Sequence, residues 1–311
     1  MKPKVSIIVV NYNGSYKILK FIDSLMQTEY TNKNIIIIDN ASTDNSGADL
    51  KNKWRKESAV EVLLNRENIG YTAGCNRGIK RAISKKSKYF IISNFDVEII
   101  NYKIIQQMVD FMEKSEQVGI VGPKVYIYQK GNIQNTVFFF PTLFAYIRDW
   151  YKRNMLKIQS SYDIRKPTKV DAVNGVFAMY RAEMFNEIGL FDPYINMYGD
   201  ELDIGIRAKR NGWTVYALSH ESIVHHPEGN YEFFNIRNFL NKRNKIYLAN
   251  KFYGKHTSFC WFLLSLLNIM VRIVVLECKN DVERLKKGKK FLNNFVKEVF
   301  EIWKYDFHLN P

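Results

Sequence analysis

The sequence predicts an α/β fold: a doubly wound, mostly parallel sheet with flanking helices, plus a helical C-terminal extension that is both basic and apolar. Three observations predict it. Short β-branched runs alternate with helix-spaced segments through the first half. Polar residues stand just after four successive runs, where a parallel sheet presents its ligand-binding edge. After about Gly229 the chain turns basic, aromatic and then strongly apolar.

The strands are read at Val5 to Val10, Ile35 to Ile38, Val60 to Leu64 and Tyr89 to Ser93, short runs dominated by Val, Ile and Leu. Between them Ser15 to Thr28, Ser46 to Lys56 and Tyr71 to Ser84 carry helical spacing. About residues 126–169 are aromatic and irregular, centred on "VFFFPTLFAYIRDWY", and read as a substrate-facing flap or a packed excursion. The sheet returns at "VDAVNGVFAMY", followed by a short helix at Arg181 to Ile188, a loop leading into an acidic helix, and the strand "WTVYAL". This gives one domain over residues 1–230 and an extension over residues 231–311.

Hydrophobic residues make up 46% of the 311, enough for a core and too many for a disordered chain. Lys and Arg number 46 against 31 Asp and Glu, a formal charge of +15, which favours anionic partners: nucleic acid, nucleotide phosphates or an acidic membrane face. From Arg237 to Pro311 there are 15 basic and 6 acidic residues. No nucleic-acid-binding module is recognisable, so the charge points to phosphates and membrane. Cys75, Cys260 and Cys278 are odd in number and lack metal-site spacing, which fits a reducing cytosol. The N-terminal apolar run is too short for a signal-peptide core. Neither G-x-G-x-x-G after the first strand nor a P-loop occurs, which removes most support for dinucleotide and P-loop readings.

The polar residues at the strand ends are Asn11 and Asn13, Asp39 and Asn40, residues 65–70, and Asn94 with Asp96. Four in a row outline a cleft. In the apolar run 259–276, Trp261, Ser265, Asn268 and Arg272 recur at spacings of four, three and four, one narrow polar stripe on an apolar rod. That pattern suits a helix lying in a membrane interface; the alternative is a buried core helix.

The ordered set "VSIIVVNYNG", "IIIIDNASTDNS", "NRENIGYTAGCNRGI", "NFDVEI" and "VNGVFAMYRAEMFNEIGLFDPYINMYGDELDIGIRAKRNGW" resembles family 2 glycosyltransferases, inverting enzymes of the GT-A fold, especially the bacterial branch with rhamnosyltransferases. It covers roughly residues 4–230. The resemblance implies a nucleotide-sugar donor (dTDP-rhamnose or a UDP-sugar) and a glycan acceptor, lipid-linked and met at the inner face of the cell membrane; an oligomer stays open. It implies that Val9, Asn11 and Asn13 line the nucleotide pocket, that Asp39 contacts base or ribose, and that Asn68, Gly70 and Asn76 belong to the donor site. Asp44 reads as a turn cap, and Arg77 as either a phosphate contact or a solvated arginine.

Asn94-x-Asp96 resembles the family's Asp-x-Asp motif with asparagine in the first place and Phe95 where many relatives have proline. Asp96 would then hold Mg²⁺ or Mn²⁺, with the ion kept mostly by donor phosphates and water, and either His225 or His226 completing the site. "GDELDIGIR" matches the pattern E-D-x-D-L-x-x-R with its first two acids exchanged. Glu201 is therefore expected to be the base, with Asp200 behind it; Asp203 and Arg207 read as no more than a helix-face pair. The competing reading is a GT-A-like module that binds nucleotide or glycan without turnover.

Overall fold

The element order follows the expected alternation: β1 (Val5–Asn11), α1 (Ser15–Met26), β2 (Lys33–Asp39), α2 (Ser46–Lys53), β3 (Val60–Leu64), α3 (Tyr71–Ser84) and β4 (Tyr89–Ser93). There follow β5 (Val97–Ile99), α4 (Ile104–Glu113), β6 (Val118–Ile127), β7 (Val137–Phe138), β8 (Thr168–Val170), β9 (Ala172–Val173) and β10 (Phe177–Arg181). Then come α5 (Ala182–Ile188), α6 (Asp200–Arg210), β11 (Thr214–His225), α7 (Ile236–Cys278) and α8 (Val282–Lys304). The computed structural model describes residues 2–127, 137, 138, 140, 164–226 and 233–304. These fall into two compact units, the second being residues 233–304. Most of the aromatic middle, and the expected boundary between residues 230 and 231, lie outside the described residues.

In the first unit, nine strands form one sheet among the described residues, in the order β3-β2-β1-β4-β10-β6-β11-β5, with β8 on β11. The pairs β3-β2, β2-β1 and β1-β4 are parallel. β10 enters antiparallel between β4 and β6, and β6 and β11 run parallel again. Every residue of β1 is buried, because helices cover both faces. Alternation divides it: Ile7 and Val9 pack with Ile18, Phe21, Ile22 and Leu25 of α1, while Ile8 and Val10 pack with Cys75, Ile79 and Ala82 of α3. The α1 positions repeat at i, i+3, i+4 and i+7, one apolar stripe whose side chains contribute about 1.5–3 kcal/mol each on burial. α1 stops two residues short of expectation, where the Thr28 hydroxyl donates to the Leu25 carbonyl (2.7 Å). α3 lies close on β1 because residue 78 is glycine: a Cβ there would stand 2.3 Å from Cγ2 of Ile8.

β11 runs well past the expected "WTVYAL" and carries His225 to the sheet edge where Val97 of β5 pairs with it. Only its first part could be read from β-branched residues; the rest, "SHESIVH", becomes a strand because β6 and β5 pair with it.

In the second unit, α7 is interrupted at Gly254 (φ 85°, ψ 170°), leaving arms at 236–253 and 255–278. The arms turn back on each other: Ser258 Oγ donates to the Ile246 carbonyl (3.1 Å), and Lys242 Nζ to Asn268 Oδ1 (3.3 Å). α8 joins them, with Trp303 Nε1 donating to Ser258 Oγ (2.8 Å) and Phe295 stacked on Phe262.

The first half of the predicted stripe therefore points inward, and only Arg272 at its end is exposed. Trp261 and Ser265 are buried, Asn268 meets Lys242, and the Arg272 guanidinium lies 3.9 Å from the Phe233 ring centroid. Asn268 and Arg272 find partners inside the helical unit, while Phe259, Leu263, Leu267, Met270, Val271, Val274 and Val275 are exposed. The helix is long and apolar enough to cross a membrane, yet only 28% of its best 18-residue window is buried, so it is not a core helix either.

Candidate active site

Strand register gathers the polar residues at one edge. Asn11 pairs with Asp39, Asp39 with Leu64, and Val9 with Ser93, so β1 to β4 end together. Val9 is correspondingly a core residue, fully buried and paired on both sides, and presents no free group to a nucleotide. Asp39 is buried and already engaged. Its Oδ1 accepts from Asn11 Nδ2 (2.7 Å) and Ser42 Oγ (2.6 Å), and its Oδ2 from the Ser42 N–H (3.1 Å). Asn11 Nδ2 also reaches Ser46 Oγ (2.9 Å), while its own Oδ1 is buried with no partner. Asn13 Oδ1 accepts from the Thr43 N–H (2.8 Å), and Asp44 caps the Ser46 N–H (3.0 Å), the turn role expected of it.

The end of β3 is knitted to α3. Asn65 Nδ2 donates to Asn40 Oδ1 (2.5 Å), Asn40 Nδ2 to the Gly70 carbonyl (3.0 Å), and Arg77 Nη1 to the Leu64 carbonyl (2.9 Å) and to Asn65 Oδ1. Arg77 is thus a strut for the β3 exit rather than a phosphate contact. Asn68 Oδ1 accepts from the Gly70 N–H (3.0 Å). Gly70 sits at φ 85°, ψ 167°, a conformation essentially restricted to glycine. Asn76 differs from expectation: both ends of its amide bond the Phe191 main chain, at 2.8 and 2.9 Å, making it a tie between α3 and the segment before α6.

Asp96 lies in the turn between β4 and β5. Its Oδ2 is 3.4 Å from His225 Nε2, and its carbonyl accepts from the His226 N–H (2.8 Å). The His226 ring turns to Glu98 instead, at 3.3 Å. Of the two histidines, the structure brings His225 to Asp96. A carboxylate oxygen and an imidazole nitrogen this close offer ligands from one side only. That donor set fits a hard cation whose remaining ligands are phosphate oxygens and water. Among the described residues no group of three or more His, Cys, Asp or Glu could hold an ion alone.

Asp200 and Glu201 open α6, where carboxylates complement the helix dipole. Glu201 Oε2 accepts from the Gly199 N–H (3.2 Å). Asp200 is buried among Tyr71, Cys75 and Tyr180, and burial pushes its pKa well above the carboxylate range, helped by the charge of Glu201 and a hydrogen bond to it. The Tyr71 and Tyr180 phenols are raised too, by burial first; Cys75 and then Asp200 add to it at Tyr71, and Asp200 and then Glu201 at Tyr180. Tyr71 O–H donates to Asn94 Oδ1 at 3.4 Å, so one phenol touches both the Asn94-x-Asp96 turn and the surroundings of the acid pair. Buried Asp203 and half-buried Arg207 form a clamp whose guanidinium also reaches the Ile188 carbonyl, which ties α6 to the end of α5.

Sequence reasoning missed Ser42, Ser46, Tyr71 and Tyr180. The serines stand in the quoted "DNASTDNS" beside Asp39, and Tyr71 follows Gly70, so a signal existed for three of them. Tyr180 comes from β10, whose antiparallel entry nothing local announces. Two cavities of about 210 and 250 Å³ lie elsewhere, beside Arg181 and Trp213, and hold none of these residues.

Residues 6–189 match the family described as Glycosyl transferase family 2. The O-antigen biosynthesis protein RfbC of Myxococcus xanthus is 25% identical over 227 residues, covering 72% of this chain but only 17% of that protein. The N-acetylglucosaminyl-diphospho-decaprenol L-rhamnosyltransferase of Mycobacterium tuberculosis is 23% identical over 242 residues, covering 73% and 77%. Among solved structures, S. aureus TarS 1-349 in complex with UDP-GlcNAc has a TM-score of 0.57 at 15% identity, covering 95% of this chain and 81% of that one. GalNAc-T7 with UDP, GalNAc and Mn²⁺ has a TM-score of 0.61 at 15% identity, covering 81% and 48%. At such identities the structural likeness shows the fold, the GT-A-type sheet and helices expected.

Proposed function

Because the chain belongs to glycosyl transferase family 2, we propose that it moves a sugar from a nucleotide-diphosphate donor to a hydroxyl of a glycan acceptor, with inversion. The observation that carries this is the Asp96–His225 pair just beyond β4 and the Asp200–Glu201 pair at the start of α6, with Tyr71 bonded to Asn94 beside the first and near Asp200 of the second. In this reading Glu201 accepts the proton of the acceptor hydroxyl as its oxygen attacks the anomeric carbon. The bond to the diphosphate breaks on the opposite face, and its electron pair leaves with the nucleotide. Asp200, buried and proton-holding, keeps Glu201 in place by hydrogen bonding. Asp96 and His225 would hold Mg²⁺ or Mn²⁺, which supplies positive charge beside the departing diphosphate. The buried Asn11–Asp39–Ser42 network shapes the nucleotide side.

A dTDP-rhamnose or UDP-sugar donor and a lipid-linked acceptor are supported by the names of the relatives. Release of nucleoside diphosphate from a panel of UDP- and dTDP-sugars with Mn²⁺ tests the donor. Release from none, with any acceptor, leaves a binding module as the reading.

The helical unit fits the membrane face where such an acceptor is presented. In the chain its exposed apolar row lies between exposed Lys255 and Lys279, with exposed Arg284, Lys286 and Lys290 following on α8, and each basic residue near an anionic surface adds about 1 kcal/mol. Apolar insertion and charge then act together, as in a monotopic attachment. The full chain is expected to sediment with anionic liposomes, less so at high salt, and Leu267→Asp with Val274→Asp is expected to abolish it. Absence of pelleting at low salt, or no effect of the paired change, would sink the attachment.

A further inference from the structure

The N-terminus of α3 has no cap of its own, since Gly70 offers no side chain. Its first amides are satisfied from 125 residues away. The Tyr71 N–H donates to Asn196 Oδ1 (2.9 Å) and the Thr72 N–H to the Asn196 carbonyl (3.1 Å). Asn196 meets them from an unusual backbone. At φ 41°, ψ −54°, with the Met197 N–H bonded to the Ile195 carbonyl, it is the centre of a γ-turn of the rare, strained hand. Tyr198 (φ 65°) and Gly199 (φ 105°) also lie in the left-handed region, so the loop entering α6 has little freedom to shift. Strain of this kind persists where surrounding bonds over-determine it. The fit is close enough that a Cβ on residue 70 would stand 2.2 Å from Asn196 Oδ1.

Resting on the transferase reading, we propose that Asn196 is a positioning residue: it locks the loop that delivers Asp200 and Glu201 to the start of α3, whose Tyr71 contacts Asn94. The base is thereby held in register with the donor-side turn. Substitutions at Asn196 separate this from a general structural role. Asn196→Ala loses the capping oxygen and suits the backbone poorly. Asn196→Gly suits the backbone but still lacks the oxygen. Asn196→Asp keeps an acceptor and tolerates left-handed φ.

The expected result is a kcat at least about tenfold lower for the alanine and glycine variants, with the KM for the donor within about twofold, and recovery to within about threefold in the aspartate variant. Hydrogen exchange at the Tyr71 amide, whose acceptor is the Asn196 side chain, should quicken in the first two and not in the third. Unchanged kcat in Asn196→Ala, or equal loss in all three, overturns the proposal. If the unmodified enzyme turns over no donor, the transferase reading fails by itself. In that case, unaltered exchange in Asn196→Ala would overturn the clamp separately.

Discussion

Replacing Glu201 by glutamine is expected to slow transfer by at least about a hundredfold, the usual scale for a positioned general base, while donor affinity stays within about twofold. Glutamine preserves the length of the side chain and an oxygen for the Gly199 N–H, so α6 should keep its start. Asp200 is the necessary control, because the two acids stand in exchanged order relative to the family pattern. Asp200→Asn should retain a measurable rate, since the buried carboxyl holds a proton instead of taking one. If Glu201→Gln is near wild type and Asp200→Asn is dead, the roles are exchanged.

The same variant has a pH signature. The folded-state pKa of Asp200 is raised, so the native protein binds its proton more tightly than the unfolded chain does. The stability this confers is fully present below the ordinary carboxylate value and is lost as pH rises through the raised one. Asp200→Asn should therefore gain in thermal midpoint over wild type as pH rises above the ordinary carboxylate value of about 4. A constant difference across that range would contradict the burial of this proton.

Asp96→Asn is expected to remove the metal-dependent part of nucleotide binding and to reduce transfer severely. With a single carboxylate in the turn, no neighbour can replace it: Asn94 is neutral and accepts from Tyr71, and Glu98 faces His226. His225→Ala should show the same loss in milder form, and His226→Ala should show little. Calorimetric titration of UDP or dTDP with and without Mn²⁺ reads these differences. Full activity of Asp96→Asn with unchanged metal dependence would remove the metal from the account, as would equal effects of the two histidines.

Much of this site is legible in the sequence because its parts follow strands whose composition is unmistakable. Asp39, Asn94 and Asp96 each stand directly beyond a Val- and Ile-rich run, and parallel register alone brings them to one edge. The choice between His225 and His226 is not local. It depends on Val97 pairing with His225, a contact 128 residues apart that sets which ring turns toward Asp96. Asn76 and Arg77 fit a donor-site pattern but bond main chain and Asn65, and only the positions of Phe191 and β3 reveal it. The stripe of the helical unit is decided by a similar reason: Gly254 folds the helix back, which buries Ser265 and brings Lys242 to Asn268.

The most direct test follows a nucleotide sugar by time-resolved NMR as the enzyme turns it over. In-line displacement assisted by Glu201 predicts that nucleoside diphosphate and product appear together, and that an α-linked donor first yields the β-configured sugar, in the glycoside or in slow hydrolysis by water. Product of retained configuration, or a donor left intact with every acceptor and metal tried, would contradict the account.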